Sequence, residues 1–300
     1  MNEPVSPTRR MDATLSDEDA ALPVPGKTRP WLFIVHGNDR GHHVKLSETA
    51  VTLGRGPGAD VVLNDDRASK VHCSVRVAPG DTVEVADLGS RNGTFIDGER
   101  VDKTILRLNS QLRIGHTILR LEHKAIDQVR LEEELFHAAV TDALTGIPNR
   151  RWFQERAAAA LVEASRHGHP LAAVFVDVDH FKPLNDKLSH EIGDRVLQEA
   201  ARRIDATRRA EDLLCRYGGE EFVLLLPHAD LAQASTYAER VRSAVAATPF
   251  ETMGEPLTVT ISAGVACHRF GEPVEALVKR ADQAMYRAKE GGRNRVVTEE

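Results

Sequence analysis

Val174-Phe-Val-Asp177-Val-Asp179-His-Phe-Lys182 begins as an apolar run and turns acidic where it ends. Branched and aromatic residues bounded by polar ones read as a buried strand, here Leu171 to Val178. Its carboxylates then stand where the chain leaves the sheet, the place where open α/β sheets commonly bind ligands. Further along, Arg216-Tyr-Gly-Gly-Glu-Glu-Phe222 lies between apolar segments near Leu213–Tyr217 and Phe222–Leu226. This pattern reads as a hairpin with Gly218 and Gly219 at the turn, because glycine permits positive φ and close backbone approach. If the two strands are neighbours, Asp177 meets Glu220. Carboxylates without His or Cys companions favour a hard cation, Mg²⁺ where phosphates supply the other ligands.

Helical patterns flank these strands at Arg150–Arg166, Glu191–Arg208, Asp230–Ala247 and Val274–Lys289, with a further strand at Leu257–Ala266. Residues 141–300 therefore read as an α/β layer with a mixed sheet, close to the ferredoxin-like arrangement. The preceding region differs. Short apolar runs at Trp31–Val35, Thr49–Leu53, Val61–Leu63, Val71–Val77, Thr82–Val85 and Arg113–Leu121 alternate with Gly, Asn, Asp and Pro clusters. That is the signature of an all-β sandwich or barrel over residues 30–121. Between them Glu122–Val140, free of Gly and Pro, reads as a helix: either a connector with one face on the second domain or a short dimeric coiled coil. Residues 1–29 are rich in Pro, Ser, Thr, Asp and Glu and read as a disordered tail.

The whole chain has 300 residues, 41% hydrophobic and 28% charged, with a net charge of −6. This composition suits two globular domains and argues against a nucleic-acid-binding surface. Three scattered cysteines, without CxxC or zinc spacing, point to small buried hydrophobes in a reducing compartment. No run is long and apolar enough to span a membrane and no signal peptide is recognisable, so a cytoplasmic location is expected.

Residues 141–300 resemble the GGDEF domain, the catalytic unit of diguanylate cyclases. The resemblance is carried by Asp142-x-Leu-Thr-Gly-x-x-Asn149-Arg-Arg151, Asp177-Val-Asp-His-Phe-Lys182, Asn185-Asp186, His190-x-x-Gly-Asp194, Arg216–Phe222, Thr258–Gly264 and Ala281–Asn294. It implies that Asp177, the Val178 carbonyl and Glu220 hold Mg²⁺, with Mn²⁺ as an alternative. By the same likeness, Asn185 and Asp194 bond guanine with His190 nearby, and Lys182, Lys289 and Arg293 meet the phosphates. Glu221 assists deprotonation of the attacking 3′-hydroxyl, a role Glu220 could share. The implied reaction converts two GTP into cyclic di-GMP and two pyrophosphates across a homodimer. Arg209-x-x-Asp212 resembles the family's inhibitory product site, with Arg240 as a second contact. Ser189 departs from the usual Gly before His190, and at most a local loop change is expected there.

Gly54-Arg55-Gly, Ser69-Lys70-Val-His72 and Ser90-Arg91-Asn92-Gly93-Thr94 resemble, in order and spacing, a forkhead-associated (FHA) domain. The likeness implies that Arg55 and Ser69 bind phosphothreonine phosphate, that Lys70, Arg91 and Asn92 add contacts, and that His72 braces the loops. The ligand would be another protein or the chain's own tail, phosphorylated at Thr14, Thr8 or Thr28. Two other readings, a cyclic-dinucleotide receptor and an FHA scaffold with a vestigial enzyme, give the intact Asp177, Glu220, Glu221, Asn185 and Asp194 no purpose.

Overall fold

The computed structural model describes residues 28–209, 211–251 and 256–299. Thr8 and Thr14 lie outside the described residues. The chain divides into two compact units, one ending at His137 and the other beginning at Ala138.

The first unit contains β1 (Thr28–His36), β2 (His43–Lys45), β3 (Val51–Gly54), β4 (Val61–Val62), β5 (Cys73–Ala78) and β6 (Thr82–Asp87). It continues with β7 (Thr94–Ile96), β8 (Glu99–Val101), β9 (Lys103–Leu106), β10 (Gln111–Ile114) and β11 (Thr117–Ala125). Two sheets result, ordered β2-β1-β11-β10-β7-β8 and β4-β3-β5-β6-β9. Leu32, Ile34, Leu53, Val75, Val85, Leu112 and Leu119 fill one core with side chains from both sheets, as the alternating strands require. The expected helix at Glu122 is corrected: residues 122–125 continue β11, pairing with Trp31 back to Thr28. The pairing partner is distant in sequence, so local periodicity could not reveal it. The first strand likewise starts at Thr28, two residues before the expected domain edge.

The connector helix is α1 (Ile126–Val140). Within the first unit it carries the buried Val129, and Glu132 pairs with Lys124 at 2.5 Å. Leu131 and Leu135 are exposed.

The second unit comprises α2 (Arg150–His167), β12 (Leu171–Val178), α3 (Phe181–Leu188), α4 (His190–Asp205), β13 (Leu213–Arg216) and β14 (Glu221–Pro227). It ends with α5 (Leu231–Ala246), β15 (Ile261–Cys267), α6 (Val274–Glu290) and β16 (Val296–Thr298). The sheet order is β13-β14-β12-β15-β16, antiparallel except for the β15–β16 edge. All eight residues of β12 are buried because both faces are covered. Ala172, Val174 and Val176 join Val196, Ala200, Leu224 and Val241 on one side. Leu171, Ala173 and Phe175 join Phe153, Val223, Leu277 and Met285 on the other. Each larger side chain so buried contributes about 1.5–3 kcal/mol relative to exposure. At Gly264, α6 comes so close that a Cβ would lie 2.1 Å from the Ala281 carbonyl oxygen. Cys73 and Cys215 are buried, with burial pushing both thiols up to about 12, whereas Cys267 is only half-buried.

Candidate active site

The strand parity that divides the two cores also aims the acids. Asp177 follows Phe175 on the α6 side of β12 and is paired in register with Glu221 of β14. Side chains two apart on a strand share a face, so Asp177, Glu221 and α6 converge there. The hairpin tip is tied to β12 by the Val178 amide, which donates to the Glu220 carbonyl at 3.2 Å. This bond brings the Glu220 backbone to Val178, the residue after Asp177.

Asp177 is 3% exposed. Its Oδ2 receives the Lys289 ammonium at 2.7 Å, whereas its buried Oδ1 has no hydrogen-bond partner. Burial pushes its pKa up to about 6 against the opposing pull of Lys289, with Glu220 and Glu221 adding like-charge repulsion. Lys289 therefore sits on a carboxylate here, where the sequence reading had assigned it to phosphate. Glu221 is also raised, by burial first and then by Asp282 of α6. Gly218 makes room for it, since a Cβ there would lie 2.2 Å from Glu221 Oε2. Gly219 faces open space.

An orphaned buried carboxylate oxygen beside further acids fits a hard divalent cation. Among the described residues no three His, Cys, Asp or Glu side chains form a metal cluster. A cation here would accordingly draw remaining ligands from backbone and phosphate oxygens.

Lys182 and Asn185 lie on α3, which the sequence reading left without a helix, and His190 and Asp194 lie on α4. Asn185 Oδ1 is buried and unpartnered, and a Cβ on Gly193 would come within 1.8 Å of it. Ser189 is absorbed as the N-cap of α4, accepting from the Ile192 amide at 3.4 Å, with φ at 146°. That backbone value favours glycine.

Two residues that received no role in the sequence reading hold the site together. Asp179 accepts from Ser262 Oγ at 2.6 Å, Thr260 Oγ1 at 2.7 Å and the Asn294 amide at 3.0 Å. It thereby fixes the loop that carries Arg293, itself at φ 61°. Arg216 bonds both Asp142 and the Gly219 carbonyl. The acidic run at 177–179 flagged the first, but nothing local signals the second.

Arg209 and Asp212 line a small cleft with Gln233 and Tyr237. Asp212 is 2% exposed and accepts the Arg209 amide at 2.9 Å, so its carboxylate closes its own turn. Burial raises its pKa. Arg240 donates to the Thr207 carbonyl at 3.1 Å and stands over the Tyr237 ring.

In the first unit, three loops are knit together. The Arg55 amide donates to the Ser69 carbonyl at 3.0 Å, and Ser69 Oγ accepts from the Arg91 amide at 3.0 Å. Asn92 Nδ2 donates to the Arg67 carbonyl at 2.7 Å. Buried His72 takes the Ser69 amide on Nδ1 at 3.0 Å, and its Nε2 lies 3.2 Å from the Gly93 carbonyl. Arg55, Lys70, Arg91 and Asn92 are exposed, and Ser69 is half-buried.

Comparison with known proteins gives the same division. Residues 139–295 match the family described as "Diguanylate cyclase, GGDEF domain", more than half of the chain. Residues 33–125 match "Inner membrane component of T3SS, cytoplasmic domain". The response regulator PleD of Caulobacter vibrioides is 48% identical over 53% of this chain and 36% of its own length. Diguanylate cyclase DgcM of Escherichia coli is 41% identical over 60% of this chain and 43% of its own. The chain thus spans less than half of either relative. The crystal structure of the GGDEF domain of DgcB from Caulobacter crescentus, in complex with c-di-GMP, superposes with a TM-score of 0.52 at 35% identity. It covers 53% of this chain and 95% of that one.

Proposed function

The chain belongs to the diguanylate cyclase GGDEF-domain family, and on that premise we propose that it condenses two GTP molecules into cyclic di-GMP with release of two pyrophosphates. The observation that carries this reading is Asp177, a buried carboxylate with one oxygen on Lys289 and the other unpartnered, beside Glu220 and Glu221. Asp177, the Val178 carbonyl and Glu220 hold a divalent cation, Mg²⁺ or in its place Mn²⁺. When bound, that cation neutralises charge on the transferring phosphates.

The other roles belong to the chain itself. Asn185 and Asp194 bond guanine, with His190 beside them, and an unmatched polar edge is costly enough there to reject adenine. Lys182 and Arg293 hold phosphate oxygens, and Lys289 adds positive charge next to Asp177. Glu221 takes the proton of the 3′-hydroxyl; its raised pKa brings a carboxylate closer to the working range of a general base. Glu220 is positioned to share that task. Each copy holds one GTP, so every 3′-oxygen attacks the α-phosphate of the nucleotide on a second copy. The active species is a homodimer.

The N-terminal sandwich acts as an FHA-type reader of phosphothreonine, through Arg55 and Ser69 with Lys70, Arg91 and Asn92. This is supported by three braced loops that leave cationic side chains exposed. Its ligand is a phosphorylated segment of another protein or of the tail. Product returns to Arg209 and Asp212, with Arg240 alongside, as feedback. The test is metal-dependent conversion of GTP by the full chain. Turnover that survives Asp177→Asn at the wild-type rate would contradict the assignment.

A further inference from the structure

Three consecutive residues after α6 have left-handed backbone: Gly292 at φ 111°, Arg293 at 61° and Asn294 at 44°. Only the first is glycine, so the loop carries the steric cost that side chains meet in that region. The turn from α6 into β16 requires a change of direction, but not an arginine at its strained centre. Such outliers persist where the surroundings over-determine them, and they concentrate at functional sites.

The loop is held at both strained side-chain positions. The Arg293 amide donates to the Ala288 carbonyl at 3.0 Å, and the Arg293 carbonyl accepts from Arg295 Nε at 3.1 Å. The Asn294 amide donates to Asp179 Oδ2 at 3.0 Å, which ties the loop to the residue that follows β12. A further bond comes from α5, where Arg242 Nη1 donates to Asn294 Oδ1 at 2.6 Å across 52 residues of sequence. Arg242 is itself locked by Glu239, with Nε on its two oxygens at 2.9 and 3.0 Å and Nη2 on Oε1 at 2.5 Å. Among the described residues, the guanidinium of Arg293 has no hydrogen-bond or ion-pair partner. The loop thus bonds its backbone and leaves one cation available.

We infer that Arg242 is a positioning residue for the phosphate contact of Arg293: it clamps Asn294 from α5 against the anchor at Asp179, and so fixes where the Arg293 guanidinium stands. The inference rests on the proposed phosphate role of Arg293. It adds a residue of α5, outside the motifs that carried the family resemblance, and makes phosphate binding depend on that helix. A planar guanidinium forked onto one carboxylate presents its remaining nitrogen in a fixed direction. An Arg242 with only a structural role would cost stability whatever residue stood at position 293.

The test is equilibrium titration of the full chain with GTP in EDTA, where the metal-dependent reaction does not run. The variants are Arg242→Gln, Asn294→Gly, Arg293→Gln and the double substitution of Arg242 and Arg293 by Gln. Arg242→Gln weakens GTP binding about fivefold to tenfold, the worth of one displaced charged contact. Asn294→Gly accepts the left-handed backbone and removes the acceptor, so it does the same. Arg293→Gln weakens binding at least as much. Once Arg293 is replaced, Arg242→Gln costs nothing further, because the clamp has no cation left to place.

Wild-type GTP affinity in a folded Arg242→Gln chain overturns the clamp, as does an undiminished loss in the Arg293→Gln background. Asn294→Gly decides the matter if Arg242→Gln does not fold, and unchanged affinity there overturns the clamp too. A wild-type chain that binds no GTP overturns the nucleotide reading along with the clamp. Wild-type binding that Arg293→Gln leaves unchanged overturns the phosphate role of Arg293, and the clamp with it.

Discussion

The half-buried Lys289 and the buried Asp177 form an ion pair, Nζ to Oδ2 at 2.7 Å, that leaves the second oxygen of Asp177 buried and without a partner. One ammonium is incomplete compensation for a carboxylate removed from water. The proposed metal ligand is therefore a local cost to the ligand-free fold.

Asp177→Asn should abolish turnover and raise the melting temperature of the metal-free chain. The folded pKa of Asp177, about 6, lies above its ordinary value, so its ionisation opposes folding as pH rises. The penalty is small below the usual carboxylate range, grows through it and levels off above about pH 6. Thermal melts in EDTA should show a gain of a few degrees at pH 7.5, shrinking towards pH 4. An equal gain at both pH values would separate the effect from ionisation.

Gly193→Ala should spoil substrate binding more than stability. The added methyl would occupy the place of Asn185 Oδ1, and losing the proposed polar contact of Asn185 with guanine would raise KM for GTP by about tenfold or more. Discrimination against ATP should fall in parallel. Steady-state kinetics with both nucleotides measure this, and an unaltered GTP/ATP ratio would remove Asn185 from base recognition.

Arg55→Ala should eliminate phosphothreonine-peptide binding by the first unit and leave basal cyclase activity intact. Isothermal titration with phosphorylated and unphosphorylated peptides reads the first effect. Persistent phosphate-dependent binding would place recognition elsewhere.

Glu199→Gln should destabilise the second unit at neutral pH. Glu199 is held down to about 2, chiefly by hydrogen bonding to Arg202, with burial opposing and Arg203 assisting. Arg203 in turn donates to the Val245 carbonyl in the last turn of α5 and to the Thr248 and Pro249 carbonyls beyond it. A depressed folded pKa gives stability that is present above the unfolded value and lost as pH falls through the folded one. The gap between wild type and variant in denaturant melts should therefore narrow between about pH 4.5 and pH 2.

What the sequence made legible was local. The strand at Leu171–Val178 and the Gly-Gly hairpin announced themselves by apolar runs and turn residues, and their pairing set Asp177 opposite Glu221, one residue from Glu220. Helix α3 was hidden because Pro183 and the Asn185-Asp186 pair look like loop residues, although proline is tolerated in a helix's first turn. Strands β7, β8 and β9 have three or four residues each, too few to show alternation. The pairing of Lys289 with Asp177 and the span of Arg216 from Asp142 to Gly219 depend on tertiary neighbours, which no spacing rule encodes.

The most direct measurement is product analysis of the full chain incubated with GTP and Mg²⁺, set beside Glu221→Gln. The account predicts cyclic di-GMP and pyrophosphate in a 1:2 ratio from the wild type, and a loss of about a hundredfold or more in the variant. GTP left intact by the wild type in every phosphorylation state, or hydrolysed without cyclic product, would contradict it.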